Sequence, residues 1–134
     1  MIRLEIPLPP LGKERARSTA GGHHYTPRKT VAAERIIWEA WMAAHPAPFR
    51  GAVGCEIWAY HQQAKSNKMD FPCVKPDWDN IGKLVSDGLN ELAYNDDCQI
   101  VDARVIKRWS TRAHGYIVVK LWSVQKGSSY EEES

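Results

Sequence analysis

Aspartates dominate the chemistry available to this chain. Seven of its sixteen acidic residues fall between Lys75 and Asp102, where only Lys75 and Lys83 oppose them. Asp77 and Asp79 stand at the front of an amphipathic run, and Asp96-Asp97 follow it. Carboxylates drawn from separate elements to one point repel each other unless a cation holds them. Hard oxygen donors without a His or Cys set suit Mg2+ or Mn2+ rather than zinc. The same residues also fit a plainer role. Asp77 and Asp79 suit the start of a helix, Asp79 and Lys83 suit an ordinary surface pair, and Asp96-Asp97 suits a polar turn.

The elements needed to position these acids are legible around them. Pro76 disfavours helical backbone at Lys75, so a helix is expected to open near Asp77 or Asp79. Ile81, Leu84, Val85, Gly88, Leu89 and Leu92 recur at three- and four-residue spacing and form its buried stripe. Asp79, Asn80, Lys83, Asp87 and Asn90 share the opposite face. Tyr94 to Asp97 reads as a turn and Gln99 to Trp109 as a strand, an order that returns Asp96 or Asp97 towards Asp77 and Asp79.

Upstream, Ile2, Leu4, Ile6 and Leu8 alternate with Arg3 and Glu5, the pattern of a half-buried strand closed by Pro9 and Pro10. Gly21-Gly22 marks a turn in a hairpin that would carry Lys13, Arg15 and Arg17 on one side. Thr26-Pro27 is a helix-opening pair, and the helix is expected to run to about Ala44. Its apolar set, Val31, Ala33, Ile36, Ile37, Trp38, Ala40, Trp41 and Ala44, is broader than one core stripe requires, which fits a subunit interface or partly exposed tryptophans. Val53 to Tyr60 predicts a strand, Gln62 to Val74 a loop bearing Lys65 and Lys68, and Tyr116 to Val124 a strand antiparallel to the one before it. The order β-α-β-α-β-β predicts an α+β single domain, a mixed sheet covered by two main helices, over residues 1–124. Residues 125–134 read as a disordered acidic tail.

Charge distribution bears on partners more than net charge, which is only +2. Outside residues 77–102 and the Glu131-Glu132-Glu133 run, seventeen bases face six acids. An acidic centre in a basic surround suits a metal-dependent enzyme acting on a polyanion. Cys55, Cys73 and Cys98 show no paired spacing, which favours reduced thiols in a cytoplasmic protein. No signal peptide or membrane-length apolar run is evident. The five histidines lack ligand spacing, and no Gly-rich phosphate cradle is present.

Lys75-Pro76-Asp77-Trp78-Asp79-Asn80, then Lys83, then Asp96-Asp97-Cys98-Gln99-Ile100-Val101, is similar to the RusA family of crossover-junction endodeoxyribonucleases, the Holliday junction resolvases common in phages and prophages. Gly12-Lys13, Arg15, Arg17, Tyr25-Thr26-Pro27, Lys29-Thr30 and the Lys107/Trp109 pair extend the resemblance across residues 2–122. The resemblance implies a homodimeric, Mg2+-dependent nuclease that binds four-way DNA junctions and nicks two strands symmetrically in recombination and repair. It implies Asp77, Asp79 and Asp97 as metal-binding carboxylates, with Asp96 the adjacent acid, and Lys83 as the essential lysine. Lys13, Arg15, Arg17, Lys65, Lys68, Lys75 and Lys107 are the candidate DNA-backbone contacts. Trp78 and Asn90-Glu91 depart from the family pattern, which has a smaller aliphatic residue and an Asn-Gly turn there. Glu91 is therefore expected to lengthen the helix and shift Asp96-Asp97. A junction binder that does not cut, and a nuclease for other branched DNA or RNA, are the alternatives.

Overall fold

The computed structural model describes residues 1–12, 17–18, 24–25 and 28–127. Its elements follow the expected order with a small hairpin added: β1 (Ile2–Ile6), β2 (Arg17–Ser18), β3 (His24–Tyr25), α1 (Arg28–Ala44), β4 (Val53–His61), α2 (Trp78–Gly88), a 3-10 turn (Asp97–Gln99), β5 (Ile100–Trp109) and β6 (Tyr116–Ser123). β2 and β3 pair antiparallel; Gly21 and Gly22, the turn expected between them, lie outside the described residues. Thr26 and Pro27 lie outside the described residues, as do 128–134 of the tail.

Strand periodicity builds the main sheet. Val53, Cys55, Ile57, Ala59 and His61 of β4 turn inward, as do Leu4 and Ile6 of β1. The sheet order is β1-β6-β4-β5, with β6 antiparallel to both neighbours and β4 parallel to β5. The sheet is therefore mixed, and α2 is the crossover between its two parallel strands, as parallel neighbours require.

The expected β5–β6 hairpin is not what forms. The connection from 110 to 115 passes over the end of β4, where Ser110 N–H donates to the His61 carbonyl at 2.7 Å. Gly115 permits that crossing, because a Cβ there would lie 2.9 Å from the Tyr60 carbonyl oxygen. The strongly apolar β6 consequently takes an interior position, buried at Ile117, Val118, Val119 and Leu121.

Both helices contribute to one core and pack against each other, α1 also against β1 and α2 also against β5. Ala33, Ile37 and Trp41 of α1 meet Ile81, Leu84 and Val85 of α2 in it. At Gly88 a side chain would strike Ile37, its Cβ 2.8 Å from Ile37 Cδ1, so glycine sets the approach of the helices. The surplus apolar residues of α1 remain outside: Val31, Trp38 and Met42 are exposed. Among the described residues, no helix is long and apolar enough to cross a membrane.

Candidate active site

α2 begins where the sequence places it. Asp77 is its N-cap, with extended backbone, yet the Asp77 carboxylate accepts no capping hydrogen bond. That carboxylate instead lies 3.9 Å from Lys75 Nζ in an exposed pair, a contact of little energetic weight. The plain capping role is thus not how this side chain is used. One position further into the first turn, Asp79 joins the polar face of the helix.

That face and β5 enclose a groove of about 400 Å³, lined among others by Asp79, Lys83, Asp87, Asp97 and Arg104. Asp77 and Asp79 also share an adjoining depression with Lys75 and Lys107. The structure therefore brings Asp79, Lys83 and Asp97 to one groove and leaves Asp77 at its neighbour. Among the described residues, no three His, Cys, Asp or Glu side chains stand grouped as they would around a bound metal ion. Within the groove Asp97 also meets Asp87.

The turn that carries Asp97 is firmly braced. Asn90 Oδ1 accepts from the Asp97 N–H at 3.1 Å. Gln99 Oε1 accepts from the Asn95 and Asp96 N–H groups at 2.8 and 3.2 Å. Its Nε2 donates to the Phe49 and Gly51 carbonyls at 3.1 and 3.0 Å. Asp96 is spent locally, its side chain accepting from Cys98 N–H at 3.2 Å as the cap of the 3-10 turn. Asp97 is the member of the pair that lines the groove. Glu91 does not lengthen α2. The helix ends at Gly88, and Glu91 turns the chain with φ of 65°, a left-handed backbone that favours glycine. Asp87, Asn90 and Gln99 were not singled out for the site by sequence. Helical spacing from Asp79 and Lys83 already put Asp87 and Asn90 on the right face.

Electrostatics separate the two turn aspartates. The hydrogen bond shared with Asp96 raises the Asp97 carboxyl above its ordinary value, followed by lost solvation and the charge of Asp87. The Cys98 backbone N–H leads the effects that lower Asp96. Cys55 also lines the groove, but burial, aided by Glu56, pushes its thiol up to about 12. It stays a thiol at neutral pH and offers no soft thiolate. The groove thus presents hard oxygen donors, which suit Mg2+ or Mn2+ over zinc. Mg2+ keeps several waters and needs only one or two carboxylates beside substrate phosphates, so Asp79 and Asp97 fit it without a closed protein cage.

The candidate DNA contacts are dispersed. Lys107 Nζ donates to the Val74 carbonyl and, with the Trp109 Nε1–Met69 carbonyl bond at 2.9 Å, pins the loop after β4 onto β5. Lys65 and Lys68 line a separate depression beside Trp109, not the acidic groove. Lys75 borders both the Asp77 depression and a larger one beneath α1. Arg17 lies in β2, and Lys13 and Arg15 lie outside the described residues.

An uncharacterized protein of Bacillus subtilis (strain 168), YqaN, is 43% identical to this chain over 49 residues, a stretch covering 37% of this chain and 34% of that protein. The match thus spans about a third of that relative's length. The family model of the endodeoxyribonuclease RusA matches residues 7–121, taking in both helices, all of β4 and β5, and the acidic groove between them. By that match over most of its length, the chain belongs to the RusA endodeoxyribonuclease family.

Proposed function

We propose that this protein is a Mg2+-dependent, structure-specific endodeoxyribonuclease that resolves four-way DNA junctions by paired symmetric nicks in recombination and repair. The observation that carries this reading is the groove between α2 and β5, where Asp79 and Asp97 face Lys83 within a family of endodeoxyribonucleases. Symmetric nicks on two strands call for two such grooves, hence a homodimer acting on DNA in the cytoplasm.

A divalent ion bound there supplies an activated water and stabilises charge on the scissile phosphate. The chain's own groups do the rest. Asp79 and Asp97 would hold the ion in the groove, with Asp77 in the adjoining depression as a further carboxylate, and the Gln99 and Asn90 bonds fix the backbone that carries Asp97. Lys83, one turn beyond Asp79, offsets carboxylate repulsion and meets the negative charge that grows on the phosphate. Lys75 and Lys107 flank the neighbouring depression and hold the DNA backbone without reading its sequence.

The test is cleavage of a labelled four-way junction beside linear duplex, flap and RNA substrates, with Mg2+ or EDTA. Paired nicks confined to the junction and to Mg2+ are expected. Equal cutting of linear duplex defeats the junction assignment, and a bound but uncut junction defeats the nuclease assignment.

A further inference from the structure

Trp78 is the most exposed of the six tryptophans, at 65%, and Phe71 is 56% exposed. Burial is the usual state of such large apolar rings. Trp78 stands between Asp77 and Asp79 in sequence and lines the acidic groove. It also lines a second depression of about 480 Å³, shared with Phe71 and walled by Arg104, Lys107 and Arg108. No acidic residue lines that second depression. The Arg108 guanidinium lies 5.3 Å from the Phe71 ring centroid, within cation–π range.

Two exposed rings beside three cations, continuous with the groove of the scissile phosphate, match one kind of guest. It must offer a flat apolar face and carry negative charge. A nucleotide satisfies both demands, but only when its base has left the duplex stack, since a stacked base has no free face. In branched DNA the stack is interrupted at the branch point, where a base presents a free face. We infer that Trp78 and Phe71 form a base-stacking subsite that takes an unpaired nucleotide next to the cleaved phosphate. The inference rests on the nuclease reading above for its position relative to the cut, and it goes beyond it by naming what sits beside the reacting phosphate. Trp78 acts here as a positioning residue, fixing the strand so that the next phosphate lies over Asp79 and Asp97.

The test uses the full chain in EDTA, so that binding is read without cleavage. Four-way junctions and single-stranded oligonucleotides are prepared intact or with one abasic nucleotide, placed in turn at each branch-point position. Affinities are measured for the wild-type protein and for Trp78→Leu, Trp78→Phe and Phe71→Leu. Loss of one stacked base is expected to weaken wild-type binding about tenfold. Trp78→Leu should bind intact and abasic DNA alike, and Trp78→Phe should restore the difference. Phe71→Leu, a change at an exposed loop residue, provides the same comparison should Trp78→Leu fail to fold, and is expected to shrink the difference. An equal abasic penalty in wild type and variants overturns the subsite. So does a Trp78→Leu protein whose only change is its sedimentation, which would make the ring a subunit contact. Base-dependent binding to single strands without any preference for junctions over duplex would sink the junction reading and leave the subsite standing.

Discussion

At the scale of single residues, the most informative side chain is one that declines its ordinary task. Asp77 occupies an N-cap position and makes no capping bond, so its charge remains available beside Lys75 and the Asp79 depression. Asp79 and Lys83 were legible from sequence because a four-residue separation on a helix places two side chains together wherever the helix lies. That Asp97 rather than Asp96 would line the groove was not legible from residue type. The choice depends on which carboxylate the Cys98 N–H captures. Asp79→Asn is expected to abolish Mg2+-dependent cleavage and to weaken Mn2+ binding measured by electron paramagnetic resonance. Lys83→Met should retain Mn2+ binding while losing on the order of 10²–10³ in cleavage rate, the scale of a lost oxyanion-stabilising contact. Loss of Mn2+ binding in Lys83→Met would instead make the lysine a structural partner of the acids.

At the scale of elements, the unit β4-α2-β5 does the positioning. The buried stripe of α2 was fully readable as far as Leu89, since Ile81, Leu84, Val85, Gly88 and Leu89 are all buried. Where the helix stops was not, because its end is decided by a turn in which Glu91 takes a glycine-like backbone. Glu91→Gly is therefore expected to stabilise the protein by about 0.5–1 kcal/mol, read as a higher urea midpoint with unchanged slope. A lower midpoint would show that the Glu91 side chain makes a contact worth more than the backbone strain. Gln99 was only half legible. Two of its four bonds stay inside the turn as a capping box with Asp96, and the other two reach the segment between α1 and β4, a pairing too distant to leave a local pattern. Gln99→Leu keeps the bulk but removes those bonds. Cleavage should fall more steeply than global stability as Asp97 loses its fixed aim.

At the scale of the whole molecule, fold class and strand count followed from periodicity, whereas strand order did not. A short connection between β5 and β6 suggests a hairpin, and only the packing of β4 between them, with Gly115 at the crossing, reveals otherwise. His61, at the end of β4, ties the global stability to pH. It is buried, its Nε2 has no hydrogen-bond partner among the described residues, and burial, with Lys107 nearby, lowers it from 6.5 to about 4. The folded protein thus prefers the neutral ring while the unfolded chain takes up a proton at the higher value. The stability associated with the neutral ring is complete above about pH 6.5 and is lost as pH falls towards 4, by at most about 3 kcal/mol. His61→Leu should flatten the decline of Tm between pH 7 and pH 4.5. An undiminished decline would place the acid sensitivity elsewhere.

β5 has a second consequence as the outer strand of its sheet, paired on one side only. A bare strand edge invites another chain to add to it, the first step towards aggregation. Arg104, Lys107 and Arg108 interrupt the second half of this edge with positive charge, and like charges on a second copy would repel. The residues that border the proposed base-stacking subsite therefore also guard the protein against its own kind. Neutralising all three should cost solubility at high concentration even where the folded state is unharmed, and added DNA should give part of that solubility back.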